Sequence, residues 1–100
     1  MDNELRCVFH AKVSNIKVAR SIGQIFFSEI DSSISFMNEV KTIISEAVTN
    51  SIVHGCLSDD AMDVYMNLSY DKHYIYFGQQ FSTFPLHFAN LPALHFLYFQ

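Results

Sequence analysis

Apolar and polar residues alternate in two segments of the chain, and an alternation with a period of two predicts half-buried β-strands. The first segment covers residues 4–11 and the second covers residues 62–70. Asp71-Lys72 then makes a tight connection into a third strand, predicted from His73 to Phe77. The apolar positions of the first two segments are Leu5, Cys7, Phe9, Ala11, Met62, Val64, Met66, Leu68 and Tyr70.

Between these segments the apolar residues recur at steps of three and four, which predicts two amphipathic helices. The first begins where Ser14 or Asn15 can cap it, and Asp31-Ser32-Ser33 breaks it. The second runs from near Ser35 to His54, and Gly55 is placed to end it in the left-handed conformation. The predicted stripes are Ile16, Ala19, Gly23, Phe26, Phe27 and Ile30 in the first helix, and Met37, Val40, Ile44, Ala47 and Val48 in the second. We therefore predict an α/β fold of order β-α-α-β-β, with one sheet under two helices.

Composition limits the chain to one domain and argues against one class of partner, nucleic acid. One hundred residues, half of them apolar, suffice for one core. The net charge of -4 argues against a nucleic-acid binder, which would carry a basic patch. The polar N-terminus and the lack of a long uncharged apolar run predict no signal peptide and no membrane span. Two distant cysteines, Cys7 and Cys56, are consistent with a reduced cytoplasmic chain, and a disulfide between them is the alternative.

The character of the sequence changes at Gly78. All of the charged residues, six basic and ten acidic, precede it. Residues 78–100 hold both prolines and follow no period for long, although residues 93–99 fit two helical turns. We therefore divide the chain into residues 1–77 and an atypical uncharged tail, residues 78–100. We interpret the tail as out-of-frame translation, with a native alternative C-terminus as the competing explanation.

One face of the second predicted helix carries the candidate chemistry. Its residues are three or four positions apart, and they are short and polar with one charge. Asn50 can present an oxygen to a hard cation, and Glu46, one turn away, can accept a proton from a hydroxyl. A surface helix with an incidental Glu-Asn pair is the alternative that spacing alone leaves open. The stripe consists of Thr42, Ser45, Glu46, Thr49, Asn50 and Val53.

The run from Ser45 to Gly55, SEAVTNSIVHG, resembles the N-box of the GHKL ATPase superfamily, which includes histidine kinases, gyrase and the Hsp90 chaperones. Within that superfamily it is most similar to the anti-sigma-factor serine kinases of endospore-forming bacteria. The resemblance runs from about Asn3 to Phe77. It implies the N-terminal half of a two-layer α/β sandwich of the GHKL, or Bergerat, type.

The resemblance also implies roles for four residues. Glu46 resembles the catalytic base, and Asn50 resembles the ligand of Mg²⁺, which bridges the phosphates of ATP. Thr49 and Asn50 are the implied nucleotide-binding residues. Arg20 resembles a position on the first helix that contacts the partners, although a solvated arginine explains it equally well. The implied partners are a sporulation sigma factor, an anti-anti-sigma protein and a second copy of the chain.

The resemblance is incomplete after Phe77. The family's Asp-x-Gly-x-Gly segment, which contacts adenine, and its phosphate-covering lid have no counterpart in residues 78–100. We therefore expect ATP to bind weakly or not at all. Two functions remain as expectations: a kinase that inhibits a sigma factor, and a non-catalytic remnant that binds a partner.

Overall fold

The computed structural model describes residues 3–57, 59–72, 74–82 and 94–99. Predictions that fall on Ser58, His73 and residues 83–93 lie outside these residues. Two helices and an antiparallel sheet form, and the predicted β-α-α-β-β order is confirmed for those five elements; the structure adds a π-helical turn and a fourth strand. The elements are β1 (Asn3–His10), α1 (Asn15–Phe27), α2 (Ile34–Asn50), a π-helical turn (Ser51–Gly55), β2 (Asp63–Tyr70), β3 (Tyr74–Ser82) and β4 (Leu94–Phe99).

The sheet has the order β1-β2-β3-β4, and every neighbouring pair is antiparallel. β3 passes through Gly78 and ends at Ser82, so the predicted strand end at Phe77 was five residues short. Gly78 pairs with Asn67 of β2, which shows that pairing continues through this position. Residues 94–99 form β4 rather than helical turns, because β3 offers them an edge to pair with.

The core lies between the sheet and the two helices, and it confirms the predicted stripes. Val64, Met66 and Leu68 of β2 are fully buried, and they share one hydrophobic cluster with Ile44 and Val48 of α2. At the start of α2, Met37 is half-buried and packs against the core, and the structure adds Phe36, which is buried and was not in the predicted stripe.

Gly23 sets the approach of α1 to α2. A Cβ atom built at Gly23 would overlap Cδ1 of Ile44 and would lie 3.7 Å from Cγ1 of Val40. Cδ1 is the far end of the Ile44 side chain, but Ile44 is buried in the core, so a rotation that relieves the overlap must also displace its neighbours. The absence of a side chain at position 23 therefore allows the two helices to pack closely.

A double-mutant cycle tests this contact. Gly23→Ala alone should lower the free energy of unfolding, because the new methyl group overlaps Cδ1 of Ile44. Ile44→Val removes Cδ1, so in that background Gly23→Ala should be neutral or stabilising by up to about 1 kcal/mol, the helix preference of Ala over Gly. Urea denaturation of the four proteins measures the coupling. Additive effects would show that the helices do not meet at this pair.

The end of α2 departs from the sequence prediction. The α-helix ends at Asn50, and the next five residues widen into a π-helical turn, in which the backbone N–H of Cys56 donates to the carbonyl oxygen of Ser51 at 2.7 Å. Gly55 has no positive φ; among the described residues the left-handed position is taken by Leu57, with φ of 52°. The prediction that Gly55 ends the helix in that conformation was wrong. The wider turn extends the helical path to Gly55, so the chain leaves the helix after Gly55 rather than before it.

The helix starts also differ from expectation. The side chain of Ser14 makes no capping bond, and Nδ2 of Asn15 donates to the carbonyl oxygen of His10 at 2.9 Å. The prediction that either side chain caps α1 was therefore wrong, since Asn15 is engaged by the end of β1. Capping occurs at α2 instead, where Oγ of Ser33 accepts from the backbone N–H of Phe36 at 3.2 Å.

Both cysteines are free thiols, so the disulfide is not formed. Burial raises the pKa of Cys7 and of Cys56, and the carboxylates of Asp59 and Asp63 add to the effect at Cys56. No helix among the described residues is long and apolar enough to span a membrane.

The raised thiol pKa values predict a loss of stability at alkaline pH. Above the ordinary value of 9.0, the unfolded chain ionises its thiols while the folded chain keeps them protonated. Stability from this source is complete below pH 9 and is lost as the pH rises through the folded-state values. Denaturant titrations at several pH values should show this decline, and a Cys7→Ala/Cys56→Ala double variant should show a smaller one. An equal decline in the double variant would assign it to other groups.

Candidate functional site

An open groove of about 340 Å³ runs along the outer face of α2. Its lining residues are Ser45, Glu46, Thr49 and Asn50, which occupy two successive turns of the helix. Four of the six residues of the predicted stripe therefore share one concave surface. Helical periodicity explains the grouping, because residues three or four positions apart lie on one face.

A second concavity of about 420 Å³ lies one turn earlier on the same helix. Asn38, Glu39, Thr42 and Ile43 line it. The hydroxyl of Thr42 donates to the carbonyl oxygen of Asn38 at 3.0 Å, so its hydrogen-bonding capacity is used within the helix. The structure thus places Thr42 beside the groove, and Val53, 40% exposed on the π-helical turn, lines neither concavity.

The groove has a floor and a rim of different chemistry. Ser45 and Thr49, four positions apart, are half-buried and form the floor. Glu46 and Asn50, also four apart, are exposed and form the rim. A group bound here would therefore meet hydroxyls below, and a carboxylate and an amide beside it.

The electrostatics of the groove disfavour a phosphate ligand that comes without a cation. Among the described residues, Glu46 is the one charged residue that lines it, and its carboxylate would repel a bare phosphate. The described residues contain no group of three or more His, Cys, Asp or Glu that could hold a metal ion alone. The donor set still fits Mg²⁺, because this ion is usually held by one or two protein oxygens together with waters and substrate phosphates.

Two hydroxyls near the groove have no hydrogen-bond partner. Oγ of Ser45 and Oγ of Ser51 are both sealed from solvent and unpaired. Ser45 lines the groove, whereas Ser51 lies at the start of the π-helical turn and is 1% exposed. Sequence reasoning placed Ser45 in the stripe but could not show that its hydroxyl is unpaired, since that depends on three-dimensional packing.

Arg20, the predicted partner-contacting residue, lies on α1. Its side chain is half-buried and lines neither concavity. The structure therefore does not bring Arg20 together with Glu46, Thr49 and Asn50. Its predicted role is separate from the groove.

Comparison with known proteins identifies relatives over most of the chain. It is 34% identical over 76 residues to the anti-sigma F factors of Bacillus licheniformis and Bacillus subtilis strain 168; the match covers 76% of this chain and 52% of each relative. It is 39% identical over 69 residues to the anti-sigma F factor of Clostridium perfringens strain SM101, covering 69% of this chain and 49% of the relative. The chain spans about half the length of these curated relatives, as a partial anti-sigma F factor would. No protein-family profile matches it.

Proposed function

We propose that this chain, which is similar to about half of an anti-sigma F factor, is a cytoplasmic anti-sigma factor of sporulation. In this proposal it binds and inhibits a sigma factor, and it phosphorylates a serine of an anti-anti-sigma protein with ATP. The observation that carries the proposal is the groove on α2, where Glu46 and Asn50 stand one helical turn apart on a single open surface. The two-layer GHKL fold and association with a second copy belong to the same proposal.

Glu46 is suited to act as the general base. Its side chain is exposed at the rim, so a serine hydroxyl on another protein can reach it. A carboxylate oxygen of Glu46 accepts the serine proton, and the serine oxygen forms a bond to the γ-phosphorus. The bond from that phosphorus to the β–γ bridging oxygen breaks, and ADP leaves with the electron pair. Because the groove is open, a macromolecular partner can cover it. This favours a serine of a protein over water as the phosphate acceptor.

Asn50 and Thr49 are suited to position the nucleotide. The amide oxygen of Asn50 offers one hard ligand for Mg²⁺, and Thr49 adds a hydroxyl at the floor beside it. Bound Mg²⁺ would neutralise the phosphate charge that Glu46 otherwise repels. Positioning and charge neutralisation are most of what phosphoryl transfer needs from a protein.

A specific observation also favours a second function, that of a non-catalytic module that binds a partner. The groove is lined by residues of α2 alone among those described, so it supplies one wall of a nucleotide pocket. On this alternative the chain holds a sigma factor weakly, and Arg20 on α1 contributes to that contact without any nucleotide.

Two measurements on the purified chain separate these functions. Calorimetry with the sigma factor, with and without millimolar MgATP, tests the anti-sigma role, and phosphate transfer to the anti-anti-sigma protein tests the kinase role. Binding of the sigma factor together with phosphate transfer would establish the full proposal. Binding without transfer would establish the module. A folded chain that shows neither would refute both.

A further inference from the structure

The unpaired hydroxyl of Ser45 differs from the paired hydroxyl of Thr42 on the same helix. Thr42, one turn earlier, satisfies its hydroxyl on the carbonyl oxygen of Asn38. Oγ of Ser45 has no such partner although it is sealed from solvent. A buried hydroxyl without a partner lowers stability, because it has lost its water and gained nothing in return. Such groups call for an explanation, and a ligand that supplies the missing bond is one.

The position of Ser45 suggests what it binds. It lies on the groove floor, four residues before Thr49 and directly before Glu46. Serine has one rotatable side-chain bond to its hydroxyl, so rotation to another staggered position can turn Oγ from its sealed site into the groove. There it can donate to an acceptor oxygen that lies between the Glu46–Asn50 rim and the floor.

We propose that Ser45 is a nucleotide-binding residue, whose hydroxyl donates a hydrogen bond to a phosphate oxygen of Mg-bound ATP in the groove. The inference rests on the proposed nucleotide-dependent function and adds a residue to it. Phosphate is the expected acceptor because it brings several exposed oxygens and, with Mg²⁺, tolerates the carboxylate of Glu46 nearby. Without ligand, the unpaired hydroxyl lowers the stability of the protein, and with ligand it gains a hydrogen bond. This pattern is expected of binding residues.

Ser51 provides a matched control. Its hydroxyl is equally unpaired, but its side chain is buried and does not line the groove. Removal of either hydroxyl should therefore raise the thermal midpoint of the empty protein. Only removal of the Ser45 hydroxyl should weaken binding of the nucleotide.

The test compares the wild-type chain with Ser45→Ala, Ser45→Thr and Ser51→Ala. Thermal unfolding is followed over a titration of MgATP into the millimolar range. We expect both alanine variants to melt at or above the wild-type temperature without ligand. With MgATP, Ser45→Ala should need about ten- to one-hundredfold more ligand than wild type for the same upward shift, as expected for a lost hydrogen bond to a charged group. Ser51→Ala should match wild type, and Ser45→Thr, which keeps the hydroxyl, should retain most of the shift.

The outcomes separate this inference from the function on which it rests. If MgATP protects wild type and Ser45→Ala equally, Ser45 is not a binding residue, while the proposed nucleotide site stands. A Ser45→Ala protein that is less stable than wild type without ligand would also refute the inference, because the hydroxyl would then be engaged in the empty protein. If MgATP protects none of the proteins, the proposed nucleotide function fails and the role of Ser45 fails with it.

Discussion

Replacement of Glu46 by glutamine is expected to reduce phosphate transfer to the anti-anti-sigma protein by about one hundred- to ten-thousandfold, the usual contribution of a general base. Glutamine keeps the size of the side chain and its place at the rim of the groove but cannot accept the serine proton. Because Glu46 is exposed, the substitution should leave the fold unchanged. The measurement is the rate of phosphate incorporation into the partner at millimolar MgATP, with Glu46→Ala as a second variant.

The matched control for this prediction is Glu39→Gln. Glu39 is on the same helix and lines the neighbouring concavity, so its substitution removes the same charge nearby without touching the groove. We expect transfer by Glu39→Gln to remain within a few-fold of wild type. Equal rates for wild type and Glu46→Gln would show that Glu46 is not the base. Equal losses in both variants would indicate a general effect of charge on partner binding.

Glu46→Gln also separates catalysis from sequestration. The proposed anti-sigma contact is through Arg20 on α1, whereas the groove residues are on α2. The affinity of the variant for the sigma factor should therefore be close to that of wild type in calorimetry. If Glu46→Gln lost both phosphate transfer and sigma-factor binding, the result would indicate that the sigma factor contacts the groove itself.

The parts of the fold that sequence could predict are those fixed by local periodicity. The burial of Val64, Met66 and Leu68 follows from alternation alone, and that of Val40 and Ile44 follows from steps of four. The candidate groove could be predicted for the same reason, because any residues spaced by three and four on α2 must share a face. The function proposed for the groove comes from the resemblance of the sequence to the N-box, because the spacing alone is also consistent with an ordinary surface helix.

The features that sequence could not predict depend on contacts between distant segments. The π-helical turn after Asn50 places Ile52 and Cys56 in the core, and helical propensity carries no signal for it. Nδ1 of His10 lies 2.9 Å from Oδ1 of Asp63, a pair that exists only because β1 and β2 align in this register. A glycine at the end of a helix favours the left-handed conformation, yet among the described residues the positive φ is at Leu57 rather than at Gly55. Each of these features depends on backbone geometry or long-range contacts that local sequence preferences do not record.

The largest effect on stability should come from Ile44→Ala. Ile44 is 1% exposed and lies beneath Gly23 at the contact between the helices. Removal of three carbon atoms from such a site costs about 2–5 kcal/mol, through lost burial and the cavity that remains. Stability of a small domain is about 5–15 kcal/mol, so this substitution should remove a large part of it. In thermal unfolding the midpoint should fall by roughly 4–8 °C for each kcal/mol lost.

Ile34→Ala makes the same chemical change in the same helix at an exposed site. Ile34 is the first residue of α2 and is 81% exposed, so its truncation should change stability by no more than about 0.5 kcal/mol. Comparison of the two variants separates the loss of stability caused by a cavity in the core from any general effect of the substitution on the helix. Equal, small losses would mean that α2 is not anchored at Ile44. Because Glu46 and Asn50 stand on the opposite face of that helix, a loosely anchored α2 would also leave the proposed base and metal ligand without a fixed position relative to the sheet.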